Sequence, residues 1–211
     1  MAMVLKNKIK EHLREYIFYY ILLFIFLIIG IIAGAYMSTT YEKEEIETLY
    51  DFFNNAISIY KERECNYNEI FKASFINGIK NIGFVWVLGF TVIGIPFILS
   101  TVFKCGFMLG LYTTFIISMY SAKGIIISIV IILSQCLILI PVLFIVSSYS
   151  LSLCTLISKM IFGKIRYKLN LKSYIFNYLI LFVCALAGIL IYTLMETYFS
   201  SNVLKWLFLM Q

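Results

Sequence analysis

About five stretches of the chain stay apolar for close to the length of a bilayer crossing. A hydrocarbon core about 30 Å thick calls for about 20 mostly apolar residues per helix. The stretches run approximately over 16–37, 81–103, 105–122, 124–146 and 174–195. The third is short, and the fourth remains apolar to Ile157. None carries an acidic or basic residue in its interior. Backbone groups in lipid must be satisfied within the segment. The runs are too few, and too free of alternation, for a β-barrel. The pattern predicts an all-α polytopic integral membrane protein. It has about five transmembrane helices and further amphipathic helices in an exported loop, all in one membrane domain over 1–211.

That loop, 38–80, has its own pattern. Ile46, Leu49, Tyr50, Phe53, Ile57 and Tyr60 recur at helical spacing, with Glu47, Asp51, Asn54, Ser58, Lys61 and Glu62 on the other side. This predicts an amphipathic helix. Thr39 and Glu42 have capping-box spacing at its start. Asn66 with Glu69 predicts a second helix, carrying Ile70, Phe71, Phe75 and Ile79, that runs into the second span. The first helix is acidic, unlike a lipid-surface helix rich in Lys and Arg. Its apolar face therefore points to protein contacts. Tyr50, Phe53, Ile57 and Tyr60 are the candidate partner-binding anchors, since aromatic side chains dominate interface hot spots.

Charge orients the spans. Lys6, Lys8, Lys10 and Arg14 precede the first span, and Lys159, Lys164, Arg166, Lys168 and Lys172 fill the basic loop 158–173. Short basic segments stay cytoplasmic. The loop between the first two spans carries 8 acids against 5 bases and belongs outside. Lys104 then falls in an inside turn and Lys123 in an outside one, with the N-terminus cytoplasmic and the C-terminus outside. Ala33-Gly34-Ala35 resembles a signal-peptide cleavage site, but the apolar run exceeds the usual core of about 7–15 residues, so it reads as an uncleaved anchor. The aromatic tail 203–211, with Trp206 beside Lys205, reads as an interfacial foot.

Composition agrees with the pattern. Of 211 residues 62% are hydrophobic and 13% charged, against about 45–50% and 25% in soluble domains. The net charge of +6 sits at the ends of apolar runs, which makes it a topology signal and excludes nucleic-acid binding. The 5 cysteines form no C-x-x-C and no metal or disulfide framework. No zinc-protease, nucleophile-elbow or phosphate-loop motif is present. The expectation is no catalytic residue, no metal and no cofactor.

Within the spans the candidates are structural. Gly30 with Gly34, and Gly106 with Gly110, are small-xxx-small pairs that permit close helix approach. Pro96 and Pro141 fall inside the second and fourth spans and are expected to kink them. Gln135, deep in the fourth span, is expected to hydrogen-bond a neighbouring helix. Glu196 falls at the interface end of the fifth span, where no buried partner is required.

Several of these segments resemble the stage II sporulation protein M family. The resemblance rests on Trp86-x-x-Gly89-x-x-x-x-Gly94-x-Pro96 in the second span, followed by Phe103-Lys-Cys-Gly-Phe-Met-Leu-Gly110 and Lys123-Gly-Ile125. Gln135 to Pro141, Gly30 to Ala35, Phe71-Lys72 and Met195-Glu-Thr-Tyr198 fit the same family in order. Cys105 stands between Lys104 and Gly106, where the family usually has Lys directly before Gly. The resemblance implies a non-enzymatic membrane scaffold in endospore formation. It would sit in the mother-cell membrane at the septum and localise two peptidoglycan hydrolases, stage II sporulation proteins D and P, during engulfment. Self-association is left open. The alternative from the residues is a channel or transporter component with an uncharged pathway, which the kinks motivate and the charge-free spans oppose.

Overall fold

The computed structural model describes residues 2–40, 67–161, 171–200 and 202. Every regular element among them is helical, as the apolar pattern requires. We label α1 Ala2–Thr40 and α2 Tyr67–Leu88. A long helical stretch, Gly94–Ser134, is interrupted at Ser121 (φ 48°, ψ −123°). Its first limb is α3, Gly94–Met119, and its second opens α4, Gly124–Ile161. Within α4 a π-helical segment occupies Gln135–Leu139. The last helix, α5, is Leu171–Leu194, extended by a π turn over Met195–Ser200. The anchors Tyr50, Phe53, Ile57 and Tyr60, the cap residues Glu42 and Asn66, the middle of the basic loop and the tail with Trp206 lie outside the described residues.

Among the described residues four helices are long and apolar enough to cross a membrane: Tyr16–Thr40, Gly94–Met119, Gly124–Ile161 and Ile175–Phe199. The more polar α2 is not among these four and packs along α5. Tyr67 stacks on Tyr198 with ring centroids 5.8 Å apart, a Cβ on Gly78 would meet Ile189, and Trp86 stacks on Tyr178 at 5.6 Å. α2 thus runs antiparallel to α5 along its length. α1 and α3 run parallel, since Gly30 and Gly34 face Phe103 and Phe107 while Gly106 and Gly110 face Leu27 and Ile31. The chain traverses the bundle up, down, up, down and up.

The path corrects two expected spans. Residues 81–103 are not one helix, because a turn over Gly89–Ile93 separates α2 from α3. The second traverse is α2 and the third is α3. The helix expected to start near Asn66 does carry Ile70, Phe71, Phe75 and Ile79, but it lies within the bundle rather than in an exported loop. Thr39 sits in the last turn of α1 and donates to Tyr36 O at 2.7 Å, while its expected capping partner Glu42 lies outside the described residues. The turn between third and fourth traverses falls where the Lys123-Gly124 break places it, with a Cβ on Gly124 set to collide with Ile116 O.

The core joins all five helices. Leu23 and Leu27, Ile82 and Val85, Ile98 and Val102, Leu143 and Val146, and Ala185 and Ile189 are buried together. The outer surface is apolar: Phe18, Phe24, Ile32, Phe176, Val183 and Ile191 are exposed. In water this would be a contiguous apolar patch; toward lipid it is the ordinary surface. Because lipid tails are as apolar as Leu, the helices are held by close packing and interhelical hydrogen bonds.

Candidate functional site

A dense constellation of hydrogen bonds and stacked rings is at the α2–α3 turn. Tyr178 donates its hydroxyl to Trp86 O at 2.8 Å and lies 2.7 Å from Ser150 Oγ. The Trp86 indole N–H points back at Tyr178 O at 3.4 Å. Phe182 stacks on Trp86 with ring centroids 4.5 Å apart, and Phe90 meets both rings edge-on at 5.2 Å. Cys154 Sγ reaches Leu88 O at 3.4 Å and Gly89 O at 3.5 Å. A Cβ on Gly89 would strike the Tyr178 hydroxyl, and one on Gly94 would lie 2.9 Å from Cys154 Sγ. Trp86, Gly89 and Gly94 are therefore the parts from which the turn is built. Pro96 is in the first turn of α3, where a missing N–H removes no helical hydrogen bond. It does not kink a span, because the chain has already turned before it.

The glycine pairs pack against each other. Gly30, Gly34, Gly106 and Gly110 form one seam in which each Cβ position is occupied by a backbone carbonyl of the facing helix. Such contact admits only glycine.

Farther along, a cavity of about 310 Å³ opens between α2, α3, α4 and α5. Its polar lining is Asn77, Asn81, Lys104, Tyr112, Gln135 and Tyr192. Gln135 begins the π segment that precedes Pro141, the residue lacking the N–H an α-helix would need there. Such bulges are frequent at functional sites. Gln135 forms part of the cavity wall. Glu196, in the other π segment, accepts hydrogen bonds from Tyr192 and Ser74 and has one buried carboxylate oxygen. It is held by partners, contrary to the expectation from its place at a span end.

The cavity shares Asn81 and Lys104 with an open groove on the outside of α2 and α3. This groove is lined by Lys80, Asn81, Phe84, Phe97, Ser100, Thr101 and Lys104. Lys104 is not in a turn. It lies ten residues into α3, about 15 Å from its start, and Lys80 lies eight residues before the end of α2, about 12 Å. The contact of Gly106 with Leu27 and of Gly78 with Ile189 puts both lysines level with the middles of α1 and α5. Both side chains are exposed. A lysine at the centre of a spanning helix costs about 2.5–3.5 kcal/mol on insertion scales, and such residues mark function. No acidic residue lines cavity or groove among the described residues. Reading the sequence missed this pair because Lys104 separates two apolar runs as a loop lysine would, and Lys80 borders the polar half of α2.

The chain matches the family model described as stage II sporulation protein M over residues 21–201. It belongs to that family, and is a sporulation-family membrane protein. No curated protein and no solved structure matches it at a level that signals relationship.

Proposed function

We propose that this member of the stage II sporulation protein M family is a non-enzymatic membrane anchor. It recruits peptidoglycan hydrolases, stage II sporulation proteins D and P, at the septum during engulfment, from the mother-cell membrane. The supporting observation is where the family-pattern residues go. Trp86, Gly89 and Gly94 build the α2–α3 turn, and Gly106 and Gly110 the seam with α1. Residues so used define a rigid frame rather than a reaction centre.

In this reading the segment 41–66 is displayed outside and presents Tyr50, Phe53, Ile57 and Tyr60 to a hydrolase by a helix-in-groove contact. The basic segments beside α1 and after Ile161 face the cytoplasm. What supports a common side for them is the 2.9 Å hydrogen bond between the Tyr19 and Thr155 hydroxyls, which joins the start of the apolar stretch Tyr16–Thr40 to the last two turns of α4.

The test is co-purification from sporulating cells in mild detergent. Wild type should bring down both hydrolases. The variant Tyr50→Ser/Phe53→Ser/Ile57→Ser/Tyr60→Ser, matched for expression and insertion, should lose them. Equal recovery from both overturns the loop as the docking surface; recovery from neither overturns recruitment.

A further inference from the structure

Lys80 and Lys104 share one outward-facing groove at mid-depth. Snorkelling serves lysines near helix ends, and these are far from either end. Their charges need a counter-charge at the same depth. Among the described residues none is held at that depth: no acid lines the groove or the cavity beside it. Glu196, the acid within the described apolar span Ile175–Phe199, is level with Ser74 and bonded to it, more than a turn away from Lys80. Among its described residues, a second copy of this chain has no acid near the middle of its four apolar spans to offer either.

We propose that the groove between α2 and α3 receives the transmembrane helix of a different protein, one carrying an aspartate or glutamate near the middle of its span. The groove suits a helix. Ser100 and Thr101 are small, which lets a second backbone approach, and Thr101 already donates to Phe97 O at 2.9 Å. Phe84 and Phe97, each about half exposed (52% and 51%), flank the polar floor as apolar walls. Asn81 adds an amide beside the two ammonium groups. Charge complementarity selects the partner, since an apolar helix would leave both lysines unpaired. The proposal rests on the reading of this chain as a recruiter of membrane-associated partners, and adds the place and chemistry of a contact within the bilayer.

The experiment uses the full chain in membranes of sporulating cells, with a photo-crosslinking phenylalanine analogue at Phe84 or Phe97. The expected product joins a chain whose span has Asp or Glu within one turn of its midpoint. Its capture should fall about a hundredfold in Lys80→Leu/Lys104→Leu, persist in Lys80→Arg/Lys104→Arg, and fall equally when the partner's acid becomes Leu. The leucine variant should unfold no earlier than wild type in detergent, which separates lost contact from lost fold. Absence of a cross-link, a captured span without a mid-depth acid, or capture indifferent to Lys→Leu overturns the proposal. So does rapid labelling of Ser100→Cys by a membrane-impermeant maleimide in the assembled complex, which would make the groove a water path. Hydrolases that co-purify but never cross-link here leave recruitment standing and the groove proposal overturned. A different protein with a mid-depth acid, cross-linked as expected, leaves the groove standing, and recruitment of the hydrolases is then decided by the co-purification alone.

Discussion

Trp86 and Tyr178, 92 positions apart, grip each other from both ends: the tyrosine hydroxyl donates to the tryptophan carbonyl at 2.8 Å, and the indole N–H approaches the tyrosine carbonyl at 3.4 Å. The rings stack 12° from parallel between these contacts. Trp86 is in the last turn of α2, where carbonyls lack helical partners. Tyr178 satisfies one of them and ties the α2–α3 turn to α5. A tyrosine thus does for a membrane hairpin what a C-capping group does for a soluble helix.

Tyr178→Phe keeps the stacking and removes the hydroxyl. The Trp86 carbonyl then keeps only the Gly89 N–H, 3.2 Å away, and Ser150 Oγ loses its 2.7 Å neighbour. The expected loss is about 1–2 kcal/mol, read as an earlier thermal unfolding in detergent. An unchanged midpoint would mean that the stacked rings alone hold the turn.

Glycine substitutions should separate by location. Gly106→Ala and Gly30→Ala push a methyl into backbone carbonyls of Leu27 and Phe103, which cannot rotate away as a side chain can. Both should sharply reduce folded protein, as size-exclusion profiles would report. Gly83 has nothing within 4 Å of its Cβ position, so Gly83→Ala should be neutral or add up to about 1 kcal/mol through helix propensity. Equal damage at all three positions would refute the seam.

The fold class was legible because apolar runs of spanning length are a strong signal. The pairing of the two glycine motifs was half legible: Gly30, Gly34, Gly106 and Gly110 announce close approach, but spacing does not say against what. The α2–α3 turn was illegible as a turn. Its residues, Gly89-Phe-Thr-Val-Ile93, are nearly as apolar as the helices around them: Gly89 and Phe90 pack on Tyr178, while Thr91 and Ile93 are exposed. Polarity marked Lys104 instead, and the boundary went there. The same error hid the groove: once Lys104 counts as a loop residue, no cation remains at mid-depth to be explained.

Pro96 and Pro141 look alike in sequence and should respond differently. Pro96→Ala in the first turn of α3 restores an N–H where none is needed, and should change stability by no more than about 1 kcal/mol. Pro141→Ala lets α4 form regular α-helical bonds across Gln135–Leu139, which should withdraw Gln135 from the cavity wall. Slower amide exchange over 135–141 in the Pro141 variant, with no change near Pro96 in its own variant, would bear this out. Matching behaviour of the two would count against the assigned positions.

Sidedness of single cysteines discriminates the two ways of dividing residues 81–122. If 81–103 were one span, Thr91 would lie inside it, shielded from a membrane-impermeant maleimide. In the structure Thr91 is an exposed turn residue whose hydroxyl donates to Leu88 O at 2.8 Å, and Ser121 is exposed at the far end of α3. In a cysteine-free background, Thr91→Cys and Ser121→Cys should therefore both label, from opposite faces of sealed vesicles. Thr91 has the narrower margin, because the apolar turn packs against α5 and is expected to sit near the headgroup level. Its labelling should be slower than that of Ser121 but faster than that of Ile98→Cys, which is fully buried in α3. Labelling of Thr91 no faster than Ile98 would put the turn back inside the bilayer. The second traverse would then be 81–103, and Lys104 would return to a loop, where it needs no partner at all.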